Sequence, residues 1–131
     1  MKLVVGLGCD RGTSLQTLAM ALNEALSSKA LDPQAIIGFA SIEQKKDEPA
    51  IQGLIRGMRT PITFFRAEEL AQVEVPSPSE TVLKYMGTPS VSEAAALLLA
   101  QADMTALLVE KYKHLGKDGK NATISIAEYR G

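Results

Sequence analysis

Short apolar runs alternate with a segment of helical period in the first half of this chain. Apolar runs occupy residues 2–8, 35–40 and 62–65. Between the first two runs, the apolar residues recur every three or four positions, at Leu15, Leu18, Ala19, Leu22 and Leu26. An apolar face with this spacing is typical of a helix that packs on a sheet. Because strands that alternate with helices pair in parallel through βαβ units, the sequence predicts an α/β fold.

The last quarter of the chain has a different pattern. Apolar residues return at 106–111 and 122–127, and the segment 112–121 between them is polar and contains glycine. Two such runs around a turn predict an antiparallel hairpin. No repeat or linker interrupts the 131 residues, so we predict one domain over 1–131. Its expected fold is a three-layer α/β/α arrangement with a mixed, mostly parallel sheet of about five strands and a C-terminal antiparallel hairpin.

Composition excludes several classes of function. The formal net charge of −1 provides no overall basic field for nucleic acid. No apolar run approaches the roughly 20 residues that a membrane helix needs, and Met1–Gly6 is too short for a signal peptide. The single cysteine, Cys9, fits a reducing compartment, so we expect a cytoplasmic protein. With one cysteine and one histidine, His114, we predict no metal site and no cofactor.

A glycine-rich loop, residues 6–14, connects the first predicted strand to the first predicted helix. Its sequence, GLGCDRGTS, has neither the spacing of a dinucleotide fingerprint nor the lysine of a P-loop. A helix start offers free N–H groups to an anion, and an arginine adds a fork for carboxylate or phosphate. The predicted wall of an anion site consists of Gly8, Cys9, Arg11, Gly12 and Thr13. The alternative is a tight turn with solvated charges, in which Thr13 or Ser14 only caps the helix.

A charged segment, SIEQKKDEP over residues 41–49, follows the second predicted strand. Parallel strands deliver the loops that follow them to one edge of the sheet, so this segment and the glycine-rich loop are expected to share a crevice. The residues predicted to bind a ligand here are Ser41, Lys45 and Lys46. Glu43, Asp47 or Glu48 is suited to orient that ligand or to act as a base. The alternative of a solvated helix start has equal weight.

A third donor-rich segment, GTPSVSE over residues 87–93, precedes a helix rich in alanine and leucine. Ser90 and Glu93 match a capping box. The hydroxyls and the free N–H groups of such a helix start add donors to the predicted site, and we assign Gly87, Thr88 and Ser90 to it. The alternative is that the segment serves only as a cap. Two donor-rich helix starts and a lysine pair suit a ligand with several carboxylates better than one with a single phosphate.

The hairpin carries four lysines, at Lys111, Lys113, Lys117 and Lys120. Lysines at the edge of a sheet commonly protect it from pairing with another chain. The other interpretation is a lid that touches an anionic ligand or a partner. The residues alone leave both interpretations open.

Four segments of unusual composition occur in a characteristic order. They are GLGCDRGT at 6–13, ASIEQKKDEP at 40–49, VPSPS at 75–79 and GTPSVSEAAA at 87–96. This set resembles the cobalamin-biosynthesis domain that is found alone as CobE and as the carboxyl-terminal domain of CbiG. The resemblance covers almost the whole chain and is far more specific than a lone glycine motif.

The resemblance implies a role in corrin ring formation through binding of precorrin or cobalt-precorrin tetrapyrroles. The two-domain relatives hydrolyse the lactone of cobalt-precorrin-5A and release acetaldehyde. The match begins near Met1, so the other half of those relatives is expected to be missing here. Acetate and propionate groups surround the ring of such a ligand, and they suit helix starts, Arg11 and the Lys45–Lys46 pair. In a hydrolase, Glu43 or Glu48 is the expected base, with Arg11 steadying the product carboxylate.

Two other functions are consistent with the sequence. The first is a non-catalytic subunit or carrier that completes a partner enzyme of the cobalamin pathway. The second is a small enzyme that binds a phosphate ester or nucleotide through the same helix starts. The failed nucleotide fingerprints weigh against the second.

Overall fold

The computed structural model describes all residues from Met1 to Gly131. Five strands and five helices alternate along most of the chain. They are, in chain order, β1 (Leu3–Cys9), α1 (Leu15–Ser28), β2 (Ile36–Ile42), α2 (Pro49–Met58), β3 (Ile62–Phe65), α3 (Ala67–Leu70), α4 (Glu80–Met86), α5 (Val91–Ala100), β4 (Leu107–Leu115) and β5 (Asn121–Glu128). No helix is long and apolar enough to span a bilayer.

The five strands form one sheet in the order β3-β2-β1-β5-β4. The β1–β2 and β2–β3 pairs are parallel, whereas β5 runs antiparallel to both β1 and β4. Four of the five strands therefore point the same way, and their carboxyl ends meet at one edge. This arrangement confirms the predicted α/β fold with a mixed, mostly parallel sheet and a C-terminal hairpin.

Helices cover both faces of the sheet. The larger core packs α1 and α2 on one face, where Leu3, Val5 and Leu7 of β1 are buried. On the opposite face Val4 packs against α5. The predicted three-layer arrangement is thus confirmed, and the alternation of residues along β1 explains it, because successive side chains of a strand point to opposite faces.

Gly6 allows the closest approach between β1 and α5. A Cβ atom at this position would lie 1.9 Å from the carbonyl oxygen of Ser92 and 2.9 Å from the backbone nitrogen of Ala96. Gly6 and Gly8 both lie within β1, and in the glycine-rich loop only Gly12 has a positive φ, of 80°. The absence of a side chain at Gly6 therefore serves helix packing and not the approach of a ligand.

The strand β4 is longer and less regular than predicted. It continues to Leu115, so the turn of the hairpin occupies only residues 116–120 and not 112–121. One register shift lies between Leu107 and Val109. A second follows, because Val109 pairs with Ile126 and Tyr112 with Ile124, which leaves one extra residue of β4 between these pairs. Such a bulge reverses the alternation of side chains along the strand.

Candidate functional site

A cavity of about 400 Å³ opens at the edge of the sheet where the parallel strands end, on the face that carries α5. Its floor includes Gly8 and Cys9 at the end of β1. Further lining residues come from the β1–α1 connection, the end of β2 and its connection to α2, α4 with its N-cap, the start of α5, β4 and β5, namely Asp10, Ile42, Lys45, Ser79, Thr81, Val82, Tyr85, Met86, Val91, Lys111, Lys113, Asn121 and Thr123. The volume falls in the range that is usual for sites of small molecules.

Three lysines give this cavity a positive wall. Lys45 follows β2, whereas Lys111 and Lys113 lie on β4. None of the three ammonium groups lies within 4.0 Å of a carboxylate. Burial lowers the pKa of Lys111, the nearby charge of Glu93 opposes that shift, and Lys113 adds to it. The cavity therefore concentrates positive charge that the protein itself does not neutralise by ion pairs.

The bulge in β4 places these lysines. Val109 packs into the core beneath α1, and simple alternation would send Lys111 and Lys113 to that same face. Because of the extra residue, Tyr112 instead joins the α1 face, where its hydroxyl donates to Glu24 at 2.7 Å. Lys111 and Lys113 consequently line the cavity on the other face.

The helix α4 forms an apolar and aromatic wall of the cavity. Val82, Tyr85 and Met86 line the cavity from this helix. Tyr85 is 71% exposed, and the ammonium group of Lys84 lies 5.6 Å from the centre of its ring. An exposed aromatic ring beside an apolar wall suits a flat, partly apolar ligand.

Arg11, which we predicted to hold a ligand anion, contacts the chain itself. Its guanidinium donates to Asp47 at 2.7 Å and to the carbonyl of Gln44 at 2.6 Å, and it lies 3.0 Å from Glu48. The hydrogen bond from Arg11 lowers the pKa of Asp47, and the same bond raises the pKa of Arg11. These contacts join the β1–α1 and β2–α2 connections across the edge of the sheet.

The start of α1 also receives carboxylates from the chain itself. Ser14 caps the helix, as predicted, by accepting the N–H of Thr17 at 3.1 Å. Asp118, from the turn of the hairpin, accepts the N–H of Ser14 at 3.0 Å and the hydroxyl of Thr17 at 3.0 Å. The hydrogen bond from Ser14 leads the contacts that lower the pKa of Asp118 to about 2. Both oxygens of Glu48 lie 3.3 Å from the N–H of Gly12.

Of the residues predicted for the site, the structure places Gly8, Cys9 and Lys45 on the cavity wall. The remaining predicted residues lie outside that wall, namely Arg11, Gly12, Thr13, Ser41, Glu43, Lys46, Glu48, Gly87, Thr88 and Ser90. Ser41 is buried and donates to the carbonyl of Leu7 at 2.8 Å, and Lys46 is 3.7 Å from Glu43 on the surface. The ligand contacts of these residues stay predictions.

The predicted capping box at the start of α5 is wrong. Ser90 occupies the N-cap position, but its side chain makes no capping hydrogen bond. Glu93 accepts instead from the N–H of Ser77 at 3.2 Å, because the chain folds back over the start of α5. Thr88 Oγ1, Ser90 Oγ and Glu93 Oε2 are buried with no hydrogen-bond partner in the protein.

Cys9 does not have the surroundings of an activated nucleophile. Burial raises the pKa of its thiol, although Lys45 and a hydrogen bond to Thr13 oppose the shift. The sole histidine, His114, contacts Glu24 of α1 at 3.0 Å, and its neighbour Tyr112 packs on that same face. No group of three or more histidine, cysteine, aspartate or glutamate residues is arranged to hold a metal ion.

The sequence alone did not indicate that Tyr85, Lys111 and Lys113 line the site. The two lysines belong to the basic hairpin, for which the sequence left two roles open, protection of the sheet edge and a lid over a ligand or partner. Their spacing of two residues already indicated a shared face of a strand. What the sequence did not reveal was which face, since the bulge decides that.

Comparison with known proteins identifies the family. Residues 3–127 match the family model described as "Cobalamin synthesis G C-terminus". The chain belongs to this family. The resemblance that we predicted from four ordered motifs is therefore confirmed.

Members of the cobalamin synthesis G family differ in length. The chain is 34% identical to a "Cobalt-precorrin-5A hydrolase" of Priestia megaterium over 95% of its own length but 32% of that relative's. It is 32% identical to "Protein CobE" of a Sinorhizobium species, over 83% of the chain and 71% of that relative. The chain thus spans about a third of the length of the hydrolase.

A solved structure has the same fold. The crystal structure of CobE, a protein from the cobalamin (vitamin B12) biosynthetic pathway, matches with a TM-score of 0.79 at 30% identity. The match covers 95% of this chain and 93% of that one. The cobalamin synthesis G fold is therefore shared across nearly the full length of both chains.

Proposed function

We propose that this chain acts in cobalamin biosynthesis by binding a precorrin-type tetrapyrrole in the cavity at the carboxyl-terminal edge of its sheet. The observation that carries the proposal is the set of three lysines without ion pairs, Lys45, Lys111 and Lys113, which share the cavity with the apolar wall of α4. A corrin precursor has a flat apolar ring surrounded by carboxylates. The lysines bind its carboxylates, and α4 contacts its ring.

The size of the cavity suits one edge of such a ring. About 400 Å³ accommodates a part of a macrocycle with its side chains, while the exposed ring of Tyr85 extends the apolar surface beyond it. The distribution of charge is also suitable, since an ammonium group that has no protein carboxylate gives up fewer interactions when a ligand carboxylate binds.

We further propose that the bound ligand is a substrate for hydrolysis, because longer relatives are named cobalt-precorrin-5A hydrolases. Opening a lactone releases a carboxylate, which the lysine wall stabilises. Glu43 and Glu48, the predicted bases, lie outside the cavity wall, and Glu48 is 1% exposed beside Arg11. Their part in activating water rests on the sequence alone.

The second candidate is a ligand-binding subunit or carrier that completes a partner enzyme. It is favoured by the similarity to "Protein CobE", a relative whose name states no hydrolase activity and of which the chain covers 71%. Both candidates require the same cavity. They differ in whether the chain alone opens the lactone, which a turnover assay with and without other enzymes of the pathway distinguishes.

A pair of porphyrins with opposite charge tests ligand binding. Uroporphyrin carries eight carboxylates, whereas tetrakis(N-methylpyridyl)porphyrin presents a similar flat ring with four positive charges. We expect uroporphyrin alone to bind, with micromolar affinity that weakens as salt screens the lysines. Fluorescence titration of both compounds measures this. No binding of uroporphyrin, or equal binding of the two, contradicts the proposal.

A further inference from the structure

Glu93 carries a buried carboxylate that does not line the cavity. It is 0% exposed, its Oε1 accepts a single hydrogen bond from the N–H of Ser77, and its Oε2 has no partner in the protein. No ammonium or guanidinium group lies within 4.0 Å of it. Burial of a charge without an ion pair lowers the stability of the folded protein, so we expect Glu93 to have a specific role at this position.

The backbone of Ser77 connects Glu93 to the lysine wall. Its N–H donates to Glu93, while its carbonyl accepts from the ammonium group of Lys111 at 3.4 Å. One peptide segment is therefore held by an anion behind the cavity and by a cation that lines it. The charged groups that act on Lys111 are Glu93 of α5 and Lys113 of its own strand.

Ser77 lies in the segment that leads into α4. It lies two residues before Ser79, the N-cap of that helix, and α4 contains no fully buried residue. The other nearby tie is the hydrogen bond from the N–H of Ser79 to the carbonyl of Pro89 at 2.9 Å. A helix with so little burial depends on such ties for its position.

We propose that Glu93 is a positioning residue of the cavity: through Ser77 it holds α4 over the lysines, and its charge keeps Lys111 available for a ligand carboxylate. The part that concerns the ligand rests on the proposed function. The part that concerns α4 does not, since the ties through Ser77 exist without any ligand. A carboxylate of the ligand and the carbonyl of Ser77 then share the ammonium group of Lys111.

Two substitutions separate the hydrogen bond from the charge. Glu93→Gln retains an oxygen that accepts the N–H of Ser77 but removes the charge, whereas Glu93→Ala removes both. In hydrogen exchange without ligand, we expect the amides of α4 to exchange about fivefold faster in Glu93→Ala and near the wild-type rate in Glu93→Gln. Exchange in α1 serves as the control for global unfolding.

The charge is tested by the pH dependence of uroporphyrin binding. Binding requires a protonated Lys111, and removal of a neighbouring anion lowers the pKa of an ammonium group. Glu93→Gln should therefore lose affinity at lower pH than the wild type does. Unchanged exchange in a folded Glu93→Ala, or the same pH profile in Glu93→Gln, overturns the respective half of the inference. If the wild type fails to bind uroporphyrin, the proposed function fails, while hydrogen exchange still decides the role of Glu93 toward α4.

Discussion

Asp118 accepts the backbone N–H of Ser14 at 3.0 Å, although 104 residues separate them in sequence. The contact ties the turn of the hairpin to the start of α1. The anion that a helix start attracts is thus supplied, in this protein, by its own carboxylate. The hairpin turn is thereby held beside the edge of the sheet that carries the cavity.

Asp118 is expected to make stability depend on pH in the acid range. Its pKa is lowered from 3.8 to about 2, so the folded state favours its charged form. This contribution is complete above about pH 4 and is lost as pH falls toward 2. Asp118→Asn should lower the melting temperature at pH 6 but have little effect near pH 2. Thermal unfolding by circular dichroism across this range measures the difference, and an equal deficit at every pH contradicts the prediction.

Glu48 is expected to be required for stability, because it joins two connections at the edge of the sheet. It is 1% exposed and contacts both Arg11 and the N–H of Gly12. Glu48→Ala should cost about 1–3 kcal/mol in the free energy of unfolding. Asp47→Ala is the matched control, since Asp47 shares Arg11 but is 74% exposed. Urea unfolding compares the two, and similar losses would show that burial of Glu48 is unimportant.

Gly6 is expected to tolerate no side chain. The Cβ atom of an alanine would come within 1.9 Å of the carbonyl oxygen of Ser92, so Gly6→Ala must displace α5 and should cost about 3 kcal/mol or more. Gly57→Ala is the control, because no atom lies within 4 Å of a Cβ there and the residue is helical. It should stabilise the protein by about 0.5–1 kcal/mol. Opposite signs in denaturant unfolding are the expected result.

Lys113 is expected to contribute to ligand binding and Lys117 is not. Both are exposed lysines near the hairpin turn, but only Lys113 lines the cavity. Lys113→Ala should weaken uroporphyrin binding about tenfold, and Lys117→Ala less than about twofold. Each variant removes one positive charge, so a general effect of charge would weaken both equally. Fluorescence titration at one fixed salt concentration distinguishes these outcomes.

Cys9 is expected to react slowly with alkylating reagents, and a ligand bound in the cavity is expected to protect it from them. Burial raises the pKa of its thiol, which reduces the reactive thiolate at pH 8. Iodoacetamide should therefore modify it more slowly than free cysteine, at a rate that still rises above pH 9. Because Cys9 lines the cavity, uroporphyrin should protect it. Mass spectrometry follows the modification, and a lack of protection in a protein saturated with uroporphyrin would place the ligand elsewhere.

Much of the fold followed from the sequence because its signals are local. Short apolar runs predicted all five strands, their alternation with helices predicted the parallel pairs, and the polar turn at the end of the chain predicted the antiparallel hairpin. The capping box at Ser90 failed for a reason that is not local. The carboxylate of Glu93 accepts from the N–H of Ser77, thirteen residues before Ser90 in the chain, and not from Ser90 itself.

The sequence by itself determined the order of strands and helices along the chain, the family, and the edge of the sheet at which the β1–α1 and β2–α2 connections meet. Only the tertiary structure decided which ion pairs and hydrogen bonds form between these two connections. There Arg11, which was predicted to bind an anion, is paired with Asp47 and Glu48. Its positive charge is therefore neutralised by the chain itself. The bulge in β4 then turns Lys111 and Lys113 into the cavity. The physical reason is that the periodicity of a sequence fixes which residues share a face of a strand, but one inserted residue decides which face of the sheet that is. Ion pairs between residues distant in sequence decide which charged side chains have no partner in the protein.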